Sequence, residues 1–527
     1  MRWTALFTAG LMALGITGAA QAQTFRWAGF TDAFSMDPYS FNETFTLGFT
    51  GNIYDGLVTR GKDLSIKPSL AVSWEQEDPK TWVFKLRKGV KFHNGNEFDA
   101  QDVVFSFERA TSEGSDIKAY FSSVADVTAR DKYTVVFKTK RINPILLEDI
   151  SYWWIMDKEW SEANDSTEVA DIRENEENHA TRNANGTGPF ELVSREADVR
   201  TELKRNDDWW GWGTELGTSN VEEAIFTPIK QDSTRIAALL SGDVDFMYPV
   251  PVQDIPRLKS GGIEVMQGPE LRTIFLGMDQ FRDELLESSV EGENPFKDPR
   301  VRLAMYKAID VNAIVDKIMK GAAIPAKSMV APAVTGYDES FQRMEYDPEA
   351  AKELLAEAGY PDGFEVGFDC PNDRYVNDEQ ICQAVTAMWA KIGVKADLLA
   401  QTKSIFFGKI LKRDTSVYLL GWSPSTVDGL NVLNNLLVTP DKEGGVGRFN
   451  LGGYSNAEVD RIAQEAATEL DADKRTELLQ KGLNLAHKDV GSIPLHHQQV
   501  IWAARDNVDV AQRSDNVFAL RWATVNN

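Results

Sequence analysis

Residues 419–431 read LLGWSPSTVDGLN: an apolar run closes on Gly421 and Trp422, and Ser423, Pro424, Ser425, Thr426 and the carboxylate of Asp428 follow. Strand-forming residues give way here to turn-forming ones. Hydroxyls beside a carboxylate could supply a nucleophile or hold a ligand. The string GWSPS is close to the GxSxG nucleophile turn. Ser425, however, stands where that turn needs glycine, and Pro424 restricts the backbone further. The stretch therefore reads as a ligand loop at a strand end.

Other chemical signatures fail on spacing. The histidines are His93, His179, His487, His496 and His497, and no HExxH occurs. His496 and His497 would point to opposite faces of a strand, and they are expected as a polar pair at a strand end. GWGTELG (211–217) has the wrong spacing for a dinucleotide loop, and SGDVDF (241–246) lacks the oxygen ladder of a calcium loop. The 80 acidic residues single out no glycosidase pair. No catalytic residue, cofactor or metal is expected. The two cysteines, Cys370 and Cys382, are expected to form a disulfide, since the pair lacks a CxxC spacing or a nearby histidine for metal. With 14 Trp, 13 Tyr and 27 Phe, the chain has ample material for the rigid walls of a binding pocket.

A chain of 527 residues is too long for one core, and at roughly 100–200 residues per domain two to four domains are expected. The formal charge of −24 repels nucleic acid and anionic membranes, so neither is expected as a partner. Arg2, the apolar stretch from about Ala5 to Ile16, and Ala20-Gln21-Ala22 form a cleavable secretory signal over 1–22. No cysteine adjoins the cleavage site, so no lipid anchor is expected. No later window is long and apolar enough to span a membrane. The expected product is an exported, soluble protein.

The positioning elements mix strands and helices. KTWVFKLRKGVKF (80–92) alternates as a strand that turns at Lys88-Gly89 into a second one, and YTVVFKT (133–139) is another strand. Asp99, Asp298, Asp347 and Ser455 stand as helix caps, with Gly359 placed to end the helix that Asp347 begins. The runs 364–370, 395–400 and 417–422 read as short strands. This mixture predicts an α/β or α+β protein. The acidic stretch 171–188 is the best candidate for an exposed linker.

Several stretches together resemble one family. NIYDGLV (52–58), WVFKLRKGVKFHNGNEFDAQDVVFSFERA (82–110), GTGPF (186–190), RIAALLSGDVDF (235–246), DPRVRLAMYKAID (298–310), AKIGVKADLL (390–399) and IPLHHQ (493–498) occur in order along the chain. The chain resembles the solute-binding proteins of peptide- and nickel-type ABC importers, the extracellular family 5 group. The resemblance implies a bilobal periplasmic binding protein of type II, cluster C, with an extra third domain packed on the N-terminal lobe. It places the N-terminal lobe at 23–55, 187–274 and 495–527, the extra domain at 56–186 and the C-terminal lobe at 275–494. It implies a monomer that captures a small solute by hinge closure and delivers it to an inner-membrane permease with its ATPase subunits. A secreted hydrolase of peptides or glycosides, and a chemosensory partner, are the competing readings.

The resemblance also implies site residues. Peptide binders of this kind carry an aspartate three residues beyond the Gly-Trp pair, for the peptide ammonium. Here Ser425 holds that place, and Asp428 is the nearby acid that could substitute. Arg374, in CPNDRYVND, matches the arginine that clamps a ligand carboxylate, a role suited to its planar fork. Trp422 and Ser423 complete that loop. Phe34, Asn42 and Phe45 are further wall candidates, with Trp154 as a cap from the extra domain. The expected solute is peptide-like or otherwise bears a carboxylate.

Overall fold

Side-chain caps start most of the helices where the sequence signals them. In the computed structural model, which describes residues 23–441 and 445–526, Asp99 caps Ala100–Ala110 in a reciprocal pair with Asp102. Asp298 caps Pro299–Lys307, and Asp347 caps Pro348–Glu357, beyond which Gly359 takes φ 100°. The expected cap at Ser455 moves one residue: Asn456 accepts the N–H groups of Glu458 and Val459, while Ser455 Oγ bonds Thr439. The signal expected over 1–22 lies outside the described residues.

Eleven strands form one sheet. In chain order they are β1 (Thr24–Gly29), β2 (Phe190–Glu196), β3 (Arg200–Arg205), β4 (Glu223–Pro228), β5 (Phe246–Tyr248), β6 (Glu264–Met278), β7 (Ala323–Pro325), β8 (Glu365–Pro371), β9 (Lys395–Gln401), β10 (Val417–Trp422) and β11 (Ile493–Ala504). Their spatial order is β9-β8-β10-β6-β11-β5-β1-β4-β3-β2, with β7 on β11. β1 runs parallel to β4 and β5, and β8 runs parallel to β9 and β10. The long antiparallel pair β6 and β11 joins these two halves, with a register break between Pro269 and Thr273.

Alternation along β6 feeds two cores in the second half. Ile274, Leu276 and Met278 pack with Phe368 and Trp389, whereas Phe275 packs with Tyr418, Leu420 and Leu479 on the opposite face. The first half shares a core with a separate four-stranded antiparallel sheet of Ala71–Asp78, Thr81–Leu86, Thr134–Thr139 and Val124–Asp131. Phe25 and Trp27 of β1 belong to the same cluster as Phe84, Phe137 and Trp153. The expected second strand after Lys88-Gly89 is instead a turn, closed by Phe98 N–H on the Val90 carbonyl and bent at Gly95, φ 94°.

Two further expectations change. The stretch 171–188 is not a simple linker: its second half is packed, and a Cβ at Gly186 would lie 2.1 Å from the Ile53 carbonyl oxygen. His496 and His497 lie inside β11 rather than at a strand end, both fully buried. Burial lowers both imidazoles to about 3, so they are neutral at ordinary pH. His497 Nδ1 lies 3.0 Å from Thr273 Oγ1 across the ladder.

Cys370 and Cys382 are bonded, tying the end of β8 to helix α1 (Asp378–Ala390). Replacing both with serine removes the constraint on a short loop, and the expected loss is about 3 kcal/mol by the chain-entropy account. Denaturant unfolding of the oxidised parent against the double variant measures it; equal midpoints would show that the bridge contributes nothing.

Candidate functional site

The register of the long pair decides where the strand ends meet. Trp422, the last residue of β10, pairs with Thr273 next to the register break, and β8 runs parallel to β10. In the first half, β5 pairs antiparallel with the last residues of β11, Phe246 with Ala504 and Met247 with Ala503, so the ends of β5 and β1 at Tyr248 and Gly29 point back toward the same junction. The carboxyl ends of the parallel strands of both halves therefore converge on the break. Ligands of open α/β sheets bind outside such ends.

In the second half, two loops stand side by side. Asp378 accepts the N–H groups of Arg374 and Tyr375, both at 2.9 Å, and so folds the loop after β8. Tyr375 Oη donates to the Gly421 carbonyl at 3.3 Å. The Tyr375 ring leaves no room for a side chain at 421: a Cβ there would lie 2.7 Å from it. Arg374 is exposed, with its guanidinium 5.1 Å from the Tyr375 ring centroid. It has no ion-pair or hydrogen-bonded side-chain partner among the described residues.

The loop after β10 holds its hydroxyls at different depths. Trp422 is half-buried on Phe449, with ring centroids 4.9 Å apart, and its Nε1 donates to Asn431 Oδ1. Ser423 is half-buried and Ser425 exposed. Thr426 Oγ1 is buried and lacks a hydrogen-bond partner. Val427 takes φ 55°, a strained setting for a β-branched residue.

Asp428, the acid expected to stand in at Ser425, is turned inward. Its carboxylate is buried, accepts Arg475 Nη1 at 2.6 Å and Nη2 at 2.8 Å, and caps the short helix Gly429–Val432 through Leu430 N–H. Arg475 sits in helix α2 (Ala472–Lys488) and also donates to the Ala466 carbonyl. The ion pair pins the strained turn, and Thr335 N–H bonds the Val427 carbonyl beside it.

In the first half, the loop after β1 presents Phe34 at 56% exposure, its ring 4.4 Å from that of Phe41. Asn42 is tied to the small-sheet unit: its N–H bonds Asp116 and its Oδ1 accepts Tyr120 Oη. Two wall candidates are buried. Phe45 is buried in the aromatic core, 5.4 Å from Phe226. Trp154 is buried between Leu47 and Gly51, its Nε1 donating to the Leu47 carbonyl. Sequence reasoning missed Tyr375 and Asp378, although both stand within four residues of Arg374. It also missed Arg475, which lies 47 positions from Asp428 and carries no local signal.

The small-sheet unit also reaches the second half. Leu64 packs in a cluster with Val330, Val427 and Leu430. Nearby, Arg60 pairs with Glu148 at 2.6 Å, and Asn143 donates to Asp149 at 2.8 Å. The Asp149 carboxyl is pushed up to about 7, first by burial and then by the Asp428 and Glu148 carboxylates across the seam. Asp102, Asp157 and Glu159 also gather, with ligand atoms within 4.8 Å. The oxygens of Asp102 and Asp157 already accept N–H donors, three of them the side-chain amides of Asn94, Asn96 and Asn185 on Asp157 Oδ2.

Two sheet halves joined by a pair of through-running strands, with the carboxyl ends of their parallel strands turned toward the junction, define a two-lobed protein. The chain belongs to the bacterial extracellular solute-binding proteins, family 5, whose middle region matches residues 65–444. It is similar to heme-binding protein A of Haemophilus influenzae, 27% identical over 89% of this chain and 85% of that one. It is equally similar to the glutathione-binding protein GsiB of Escherichia coli (strain K12), 27% identical over 96% of each. The fold matches the structure of HbpA2 from Haemophilus parasuis with a TM-score of 0.83 at 24% identity, covering 96% of this chain and 100% of that one.

Arg475→Met strands a buried carboxylate, and the expected loss is about 3–5 kcal/mol, measured by urea unfolding; a loss below 1 kcal/mol would mean the pair holds little of the fold. Asp149→Asn tests the seam. A carboxyl raised above its ordinary 3.8 favours folding while protonated, and that contribution fades as pH rises through about 7. The variant should therefore gain stability over the parent between about pH 4 and 8; a pH-independent difference would exclude titration of Asp149 in that range.

Proposed function

We propose that this protein is the periplasmic substrate-binding component of an ABC importer. It takes a small, carboxylate-bearing solute between its two lobes and hands it, as a monomer, to the permease and its ATPase subunits. Residues 1–22 are its cleaved export signal, and the sheet of 71–139 belongs to an extra domain spanning 56–186. The chain otherwise divides into an N-terminal lobe of 23–55, 187–274 and 495–527 and a C-terminal lobe of 275–494. Among the described residues no helix is long and apolar enough to cross a membrane, which accords with export.

The observation that carries the reading is the unpaired guanidinium of Arg374 on the loop after β8, which Tyr375 ties to Gly421 at the end of β10. Its planar fork suits a carboxylate, and the disulfide after β8 stiffens its loop, lowering the ordering cost of binding. Phe34 supplies an aromatic surface on the facing lobe. Relatives named for glutathione and heme, both carboxylate-bearing, fit the same class, and a γ-linked peptide such as glutathione falls within it.

Mass spectrometry of the molecule released on denaturing the purified protein should show a small acid. Titration calorimetry with that acid should show Arg374→Ala weakening binding by about tenfold or more, the worth of a bidentate charged contact. Unchanged affinity would remove Arg374 from the site.

A further inference from the structure

Three arginines outside the loops after β1, β8 and β10 line one small cavity. It measures about 20 Å³, and its walls come from the strand Val58–Arg60, from Tyr152 and Trp154 of the small-sheet unit, and from the C-terminal segment 513–521. Arg60, Arg513 and Arg521 are each more than nine-tenths buried. Two of them meet an acid. Arg60 Nη2 lies 2.6 Å from Glu148 Oε2, and Arg513 is paired with Asp515, which also accepts the Tyr152 hydroxyl. Arg521 meets none. Its Nη2 donates to the Thr59 hydroxyl at 3.0 Å and to the Arg60 carbonyl at 3.1 Å, both neutral acceptors. The Nε groups of Arg60 and Arg521 are buried and have no hydrogen-bond partner among the described residues.

Burying a cation without a counter-charge is costly, and a guanidinium does not escape that cost by losing its proton. Burial, then the neighbouring Arg513, lowers Arg521 to about 10, which leaves it charged at neutral pH. The field of Asp55 also reaches Arg521, but the two make no ion pair. Asp55 Oδ2 instead accepts the indole N–H groups of Trp209 and Trp210 and the Thr187 hydroxyl, and burial holds its carboxyl above the usual range. Three guanidiniums and two paired acids therefore surround the cavity. A space of this volume takes one water-sized particle. Phosphate, sulfate and organic acids are too large for it, whereas a halide ion fits and accepts N–H donors from several sides. We propose that the cavity is a structural site for a single halide ion, chloride in ordinary solution, held by Arg60, Arg513 and Arg521. The ion ties the small-sheet unit to the C-terminal segment. That segment in turn braces the crossing strands, since Ser514 accepts the Leu271 N–H in the register break. This site is separate from the solute loops and independent of the import reading.

Thermal unfolding of the purified protein in sodium gluconate, whose anion is too large for the cavity, tests this. Replacing gluconate with chloride or bromide at constant ionic strength should raise the melting temperature saturably, by about 2 °C or more. Arg521→Met removes the unmatched charge while keeping an unbranched side chain, and it should lose the halide response. A packing role alone for Arg521 would lower the melting temperature in every salt and leave the response intact. Crystals of the parent protein grown in sodium bromide should show anomalous bromine density in the cavity, a reading that stands even where Arg521→Met fails to fold. A melting temperature indifferent to halide, an undiminished response in Arg521→Met, or bromide found only at the protein surface each overturns the proposal. None of these outcomes touches the import reading, which rests on the released solute and on Arg374.

Discussion

The antiparallel ladder between β6 and β11 holds two sheet halves in one eleven-stranded sheet. A ladder fixes register, and register fixes which strand ends meet. Its break between Pro269 and Thr273 lies where the strands pass from one half to the other, so the pairing on each side of it is separate. Leu271 sits in the break and donates its N–H to the Ser514 carbonyl, so the C-terminal segment braces the crossing. The buried, neutral pair His496 and His497 lies on the same crossing strand, where a charged residue would be costly.

Local physics was legible in the sequence, and long-range physics was not. Asp99, Asp298 and Asp347 cap helices because a side-chain oxygen satisfies orphan N–H groups two or three residues on, a relation that needs no distant partner. The Cys370–Cys382 bond was readable for the same reason of arithmetic, since no other cysteine competes. The partner of Trp154, the Leu47 carbonyl, lies 107 residues away and has no local signal. The run 171–188 looked like a linker from its polarity, yet Gly186 and Gly188 are there to let two backbones touch at Ile53.

The candidate site divides along the same line. Arg374 and the Trp422–Ser425 loop could be found from their sequence surroundings, and Tyr375 joins them through one hydrogen bond to Gly421. The role of Asp428 could not be found that way. A carboxylate beside three hydroxyls looks available until Arg475 arrives from another helix with both arms of its fork.

The Asp428–Arg475 pair also bears on the backbone beside it. Val427 is held at a strained φ, and a strained turn persists only where its surroundings over-determine it. Arg475 and the Thr335 backbone supply that constraint on either side of the turn. Holding Asp428 for this purpose takes it away from any ligand. Beyond that acid, the loop keeps the hydroxyls of Ser423, Ser425 and Thr426.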